Sequence, residues 1–165
     1  VIIQTPYVIC NGYMYDVLQG ISDHAKLQIV LNAVEKGSNP WGCTDYLNQK
    51  KKILETGADV YELMNDYPVH TKAVLINDRL SVVGSYNLDM RSTYLDTELM
   101  LVIDSEKLSQ QIHETESDYM EKSKEVLANG QETEGAKYQG KVLNRKKKLY
   151  YGVLRIIIRP LRQLL

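Results

Sequence analysis

The stretch VHTKAVLINDRLSVVGSYNLDMRS, Val69–Ser92, holds the densest chemistry in this chain. It reads as two short strands, about 70–76 and 80–86, joined by a turn at Asn77-Asp78. Side chains alternate along a strand, so His70 and Lys72 share a face. Ser85 and Asn87 share a parity in the second strand, and Gly84 leaves room for a close approach. Folded together, the strands would gather an imidazole, an ammonium, a hydroxyl and a carboxamide. A neutral imidazole is a nucleophile or a general acid/base near neutral pH. A lysine beside it supplies positive charge to an oxyanion, and Ser and Asn add neutral donors. The oxyanion that suits this set is a phosphate. The only other histidines are His24 and His113, and no thiolate, imidazole or carboxylate cluster has metal-ligand spacing. The expected site therefore uses no metal and no cofactor, with the lysine in the cation's place. A plainer reading of the same residues is a surface histidine, a snorkelling lysine and an asparagine bend.

Outward from this stretch the pattern is mixed. VIIQTPYVI reads as a buried strand ended or bulged at Pro6, and residues 11–24 as a helix weakened by Gly12 and Gly20. LQIVLNA from Leu27 is a strand and KGSNPWG a loop. Thr44 is the expected cap of a helix carrying Tyr46, Leu47, Ile53 and Leu54, which Gly57 ends. ADVYELM is a further strand. TELMLVI, 97–103, is almost wholly apolar, which predicts a place in mid-sheet, covered on both faces. Asp104 or Ser105 caps a helix whose Leu108, Ile112, Thr115 and Tyr119 share a face. Residues 126–140, rich in Gly, Gln and Glu, read as a linker. The order of elements fits an α/β sandwich with a mixed sheet flanked by helices, and no internal repeat is present.

Charge is distributed unevenly. Residues 1–140 hold 12 Lys/Arg and 21 Asp/Glu, a balance of −9, whereas residues 141–165 hold 8 Lys/Arg and no acid, +8. A basic end on an acidic body points to an anionic partner. In that end, Arg155, Arg159 and Arg162 share a helical face, and Leu154, Ile157, Ile158, Leu161 and Leu165 crowd the rest. A helix of this kind, kinked at Pro160, suits the surface of an anionic bilayer, with Tyr150 and Tyr151 near the headgroups. Packing on the domain is the competing expectation. Cys10 and Cys43 are too few for a disulfide framework and are expected as thiols. Twelve tyrosines and no phenylalanine suggest half-wet packing surfaces, and Trp41 sits in a loop that could shape an entrance. The chain opens as if inside a strand, without a basic leader or an apolar run long enough to span a membrane, and is expected to be part of a longer protein.

His70, Lys72, Gly84, Ser85 and Asn87 stand in the register H-x-K-(x)4-D-(x)6-G-S-x-N, and the stretch resembles the signature of the phospholipase D superfamily. Leu88–Ser92, together with TPYVI, LETG, ADVYEL and VHTKAVLI, resembles the second half of bacterial cardiolipin synthases over roughly residues 3–125. The resemblance implies a phospholipase D-like α/β sandwich, one half of a pseudo-twofold protein with two motifs. Residues 1–125 would be the C-terminal half-domain, 126–140 the linker and 141–165 the basic amphipathic tail. It also implies the chemistry. One histidine attacks phosphorus and forms a phosphohistidine, while the histidine of the other half protonates the leaving alcohol. Water or an alcohol, in cardiolipin synthases a phosphatidylglycerol hydroxyl, then releases the phosphatidyl group.

Carried onto this chain, the resemblance makes His70 and Lys72 catalytic, with Lys72, Ser85 and Asn87 on the phosphoryl oxygens. Glu98, 28 residues after His70, would orient the imidazole. Asn77 stands where the family has a mostly structural Asp near the strand turn, and the adjacent Asp78 could supply that carboxylate by a local shift, both as structural residues near the site. Gly84 and Asp89 would brace the loop, and Arg91 would either brace it or line the mouth. One motif is present, so a second H-x-K is expected from an N-terminal half or a homodimer mate, with little activity alone. The expected partners are a phospholipid, phosphatidylglycerol first, and an anionic membrane surface met by the tail at the cytoplasmic face, peripherally or through an anchor elsewhere. Nucleic acid is disfavoured by the acidic body. The alternatives are a phosphodiesterase or nuclease of the same superfamily, and a non-catalytic phosphate-binding or scaffold half-domain.

Overall fold

Two parallel strand-helix-strand crossovers build the centre of the molecule. A computed structural model describes residues 1–165. Strands β1 (Ile2–Gln4), β2 (Gln28–Asn32) and β3 (Asp59–Leu63) are parallel, linked by helices α1 (Gly12–Ser22) and α2 (Pro40–Glu55). The chain then returns antiparallel beside β1 as β4 (Ala73–Ile76), β5 (Leu80–Gly84) and, after the short helix α3 (Met90–Tyr94), β6 (Met100–Asp104). Helix α4 (Glu106–Glu121) crosses to the opposite edge, where β7 (Ser123–Val126) and β8 (Glu132–Glu134) complete a mixed sheet in the order β6-β5-β4-β1-β2-β3-β7-β8. Helix α5 (Arg145–Ile157) and a 3-10 helix (Arg159–Leu164) end the chain.

Apolar residues on both parities of the central strands are buried because both faces are covered. Ile3, Ile29, Leu31 and Val60 pack with Leu18 of α1 and Tyr46 and Ile53 of α2. On the other face Val30, Tyr61 and Leu63 meet Tyr119 and Met120 of α4. Asn11 caps α1 through Met14, and Gly57, at φ +85, turns the chain out of α2 as the sequence suggests.

Five expectations change. The loop KGSNPWG holds the true start of α2: Asn39 caps it and Pro40 takes the first position, so Thr44 lies inside the helix, fully buried, its hydroxyl unbonded. TELMLVI forms β6 at the edge of the sheet rather than its middle. Leu99, Leu101 and Val102 are 71%, 55% and 72% exposed. The strand is apolar as though covered, but nothing in this chain covers it. The face of α4 turned to the sheet is centred on Ser109 and Glu116, both buried, and Thr115 points to solvent.

The supposed linker, 126–140, begins on the last residue of β7 and contains β8, which forms a hairpin with β7 beside β3, so the sheet extends to Glu134. The basic end packs on the domain through one face, as the competing expectation had it. Tyr151, Leu154 and Ile158 are buried, each burial stabilising by about 1.5–3 kcal/mol. Arg155 donates to Asn48, and Arg162 makes a bidentate pair, 2.6 and 2.9 Å, with the fully buried Asp45. Pro160 does not kink α5; the α-helix stops at Ile157 and the chain tightens into the 3-10 turn. No helix is long and apolar enough to cross a membrane.

Candidate active site

Because β4 runs antiparallel to β1, with Gln4 opposite Ala73, the residues before β4 lie at the carboxyl ends of the parallel strands. Ala73 also pairs with Val83, so the residues after β5 lie at the same end. His70 and Lys72 therefore enter the sheet where Ser85 and Asn87 leave it, and the Gly84 N–H donates to the Lys72 carbonyl at 3.3 Å. The expected strands are shorter than read. All four motif side chains belong to loops at strand ends, so alternation along a strand does not explain their meeting.

Two cross-connections do. Asn32, 3% exposed at the end of β2, accepts from the Val69 N–H through Oδ1 at 2.8 Å and donates through Nδ2 to the Val69 carbonyl at 2.8 Å and the Pro6 carbonyl at 3.2 Å. The residue before His70 is thus gripped on both backbone groups. Thr5, after β1, donates to the Tyr7 carbonyl and accepts from the Leu88 N–H, tying the loop after Asn87 to the same place. Reading along the sequence missed both. The signal for Asn32 was present: a carboxamide closing the apolar run Ile29-Val30-Leu31.

Within the site, Lys72 Nζ donates to His70 Nδ1 at 2.5 Å and to the His70 carbonyl at 2.9 Å. His70 is exposed and Lys72 is buried. Partial burial and then the adjacent ammonium lower the His70 pKa, which favours the neutral imidazole. Burial also lowers that of Lys72, opposed by the Glu98 and Asp89 carboxylates. Ser85 Oγ donates to Glu98 and accepts from the Leu99 N–H at 3.0 Å. The Glu98 pKa is lowered, first by the Ser85 and Ser92 hydroxyls and in smaller part by Lys72 and Arg91. The structure thus brings Glu98 to Ser85 and not to the imidazole, whose Nδ1 is occupied by Lys72. Asn87 donates to Ser92 Oγ at 3.3 Å, and its buried Oδ1 has no partner.

Gly84 is required by geometry: an added Cβ would lie 2.0 Å from the Leu99 carbonyl oxygen. Asp89 caps α3 through the Ser92 N–H at 2.6 Å, and burial raises its pKa against the bonds from Ser92 and Tyr7. Arg91 pairs with Asp96 at 2.9 Å and is exposed. Asn77 and Asp78 are elsewhere. They form the hairpin turn at the far end of β4, roughly 13 Å of strand from Lys72. Asn77 adopts φ 54, which an asparagine tolerates, and its carbonyl accepts from His113; Asp78 extends into solvent. Asp78 therefore supplies no carboxylate to the site, and the departure at position 77 is a matter of turn geometry.

Of the four motif residues His70 and Ser85 are exposed, Asn87 is half-buried and Lys72 is buried beneath His70. A cavity of about 500 Å3 lies between α1, α2 and the 3-10 helix, lined by Asn11, Gln49, Lys52 and Arg162 among others, and none of the motif residues borders it. No three His, Cys, Asp or Glu side chains are grouped to hold a metal ion. Cys10 and Cys43 are free thiols, each pushed up to about 12 by burial.

A protein-family model described as "Cardiolipin synthase, PLD-like domain" matches residues 1–118. The chain belongs to that family. It is 30% identical over 149 residues to cardiolipin synthase A of Proteus mirabilis (strain HI4320), covering 87% of this chain and 29% of that protein. It is 37% identical over 73 residues to cardiolipin synthase A of Buchnera aphidicola subsp. Schizaphis graminum (strain Sg), 44% of this chain and 15% of that one. The chain thus spans less than a third of the length of these curated relatives.

Two solved structures show the same fold. Phosphatidylserine synthase of Haemophilus influenzae Rd KW20 aligns with TM-score 0.69 at 16% identity over 99% of this chain and 41% of its own. Nuc, a phospholipase D family member from Salmonella typhimurium, gives 0.61 at 16% identity over 74% and 78%. The expected phospholipase D-like α/β sandwich with a mixed sheet is therefore the fold of this chain.

Proposed function

We propose that this PLD-like domain carries one half of a phosphatidyltransferase site that acts on phospholipid phosphodiesters, as a cardiolipin synthase does. One observation carries the reading. His70 and Lys72 sit in contact at the carboxyl ends of the parallel strands, beside the Ser85–Glu98 pair, in a chain of the cardiolipin synthase family. An anionic phosphodiester arriving there competes for the Lys72 ammonium. As Nζ turns to the phosphoryl oxygens, it releases Nδ1 of His70; the single ring proton then passes through solvent from Nε2 to Nδ1, where Glu98, already within the field of Lys72, is the carboxylate available to accept its hydrogen bond, and Nε2 is left with a free lone pair. The freed imidazole attacks phosphorus, the P–O ester bond breaks, and the second histidine protonates the departing alcohol. A hydroxyl of phosphatidylglycerol then attacks the phosphohistidine and takes the phosphatidyl group, returning its proton to that second histidine. Lys72, Ser85 and Asn87 hold the phosphoryl oxygens.

The second H-x-K comes, on this reading, from a complementary half or a second copy docked against β6, whose exposed Leu99, Leu101 and Val102 adjoin Glu98. The membrane that holds the substrate, at its cytoplasmic face, is the anionic partner of the basic C-terminal segment. The test pairs the chain with a half carrying the second motif and measures cardiolipin formation from phosphatidylglycerol vesicles, beside a His70→Ala variant. Turnover in the pair, little in the chain alone and none in the variant is the expected result. A variant as active as the parent would remove His70 from the chemistry.

A further inference from the structure

Helix α5 is apolar on two opposite faces. Tyr151, Leu154 and Ile158 face inward and are buried. Leu149, Val153, Ile156 and Ile157, at i, i+4, i+7 and i+8, form a second stripe on the other side, 72%, 50%, 71% and 49% exposed. A helix that only covers a domain needs one such stripe. The cations of the segment are divided in the same way. Arg155 and Arg162 turn inward to Asn48 and Asp45. Arg145, Lys146, Lys148 and Arg159 border the outer stripe and are exposed, and the ion pairs of the chain include none of them.

We infer that this outer face docks on an anionic lipid bilayer, the apolar stripe entering the acyl boundary and the unpaired cations meeting the headgroup phosphates. The choice of lipid as partner rests on the reading above, but the two-faced helix and its unpaired charges stand without it. Charge selects the sign of the surface, since residues 141–165 carry +8 and no acid. Shape selects a plane. Helix α5 lies on α2, which lies on the sheet, so the stripe is a ridge on an outer layer and not a groove. Position links it to the site: the Leu165 carbonyl accepts from the Arg91 N–H at 2.7 Å, so the terminal segment ends four residues beyond Asn87. The unfinished edge at β6 is a different surface, which leaves α5 free when the site is completed.

The test is sedimentation of the 165-residue chain with phosphatidylcholine vesicles, with and without about one third phosphatidylglycerol. Binding is expected only with phosphatidylglycerol and is expected to fade as salt shortens the screening length. Lys146→Gln with Lys148→Gln should weaken it about fivefold per charge. Leu149→Ser with Ile156→Ser should weaken it roughly tenfold without moving the melting temperature, because both side chains are already exposed. His70→Ala should bind as the parent does, so failure of the phosphoryl chemistry and failure of docking are read separately. Equal binding to neutral and anionic vesicles, or parental binding by either double variant, would overturn the inference. So would a chain that ignores vesicles but self-associates, in sedimentation equilibrium, through this stripe; the partner would then be a second copy.

Discussion

Replacing Asn32 with alanine tests the support of the site most directly. The side chain makes three bonds to backbone atoms of the segments that flank it. The Pro6 carbonyl keeps a second donor, the Asn32 N–H at 3.3 Å, so two groups lose their partner: the N–H and the carbonyl of Val69. Both are buried, and an orphaned buried polar group costs about 1–3 kcal/mol. The expected loss is roughly 2–6 kcal/mol, a large part of the 5–15 kcal/mol typical of a domain. Urea unfolding followed by Trp41 fluorescence and by circular dichroism measures it. The loss should be accompanied by faster exchange of the Val69 amide and by broadened or displaced NMR signals from the His70 ring, with His113 unmoved. Asn32→Asp keeps the acceptor for the Val69 N–H but sets a carboxylate against two carbonyl oxygens. It should be at least as harmful near neutral pH and should partly recover at low pH, where the protonated acid can donate. A loss below about 1 kcal/mol for Asn32→Ala, or unchanged His70 signals, would refute the claim that this side chain positions the H-x-K segment.

Other outcomes follow from the same structure. Glu116 is buried with Oε2 unbonded, and burial pushes its carboxyl up to about 7 from 4.5. The folded chain therefore holds that proton more tightly: the stability it contributes is complete below pH 4.5 and is lost as pH rises through 7, on the order of 3 kcal/mol. Glu116→Gln should remove this fall and stabilise the chain at pH 8 while changing little at pH 4; equal urea midpoints at pH 8 would count against it. His70 should titrate below 6.5 by NMR, and Lys72→Met should move the midpoint upward without fully restoring it, since burial, the larger cause, remains. A midpoint unaffected by that change would show that the ammonium does not sit on the imidazole in solution. Gly84→Ala should cost about 1–3 kcal/mol and speed exchange of the Ser85 amide, which donates to the Leu99 carbonyl, because the new methyl and that carbonyl cannot both stay in place.

Much of this molecule is local and was legible. The runs LQIVLN and ADVYEL become β2 and β3 because β-branched and apolar residues on both parities need two covered faces. Gly57 ends α2 at a positive φ, and Ser105 caps α4 as its side chain allows. Misreadings arose where a local rule had a competitor nearby. Asn39-Pro40 is a stronger helix start than Thr44, since asparagine caps and proline loses nothing at the first position. The turn at Asn77 was placed correctly, yet Asp78 cannot serve the site from it, because a hairpin turn lies at the opposite end of its strands from the residues that enter them.

The amino-acid order by itself determined the alternation of strands and helices, the uneven charge and the spacing of His70, Lys72, Ser85 and Asn87. Each of these follows from side-chain chemistry acting over a few neighbouring positions. Tertiary structure alone decided that Asn32 holds Val69 from 37 residues away, that Glu98 meets Ser85, that β6 lies bare at an edge, and that the basic end folds back with one apolar face buried and one exposed. An apolar strand or helix face reads the same whatever covers it. Its neighbour is chosen by packing between distant segments, and periodicity along the chain carries no record of that choice.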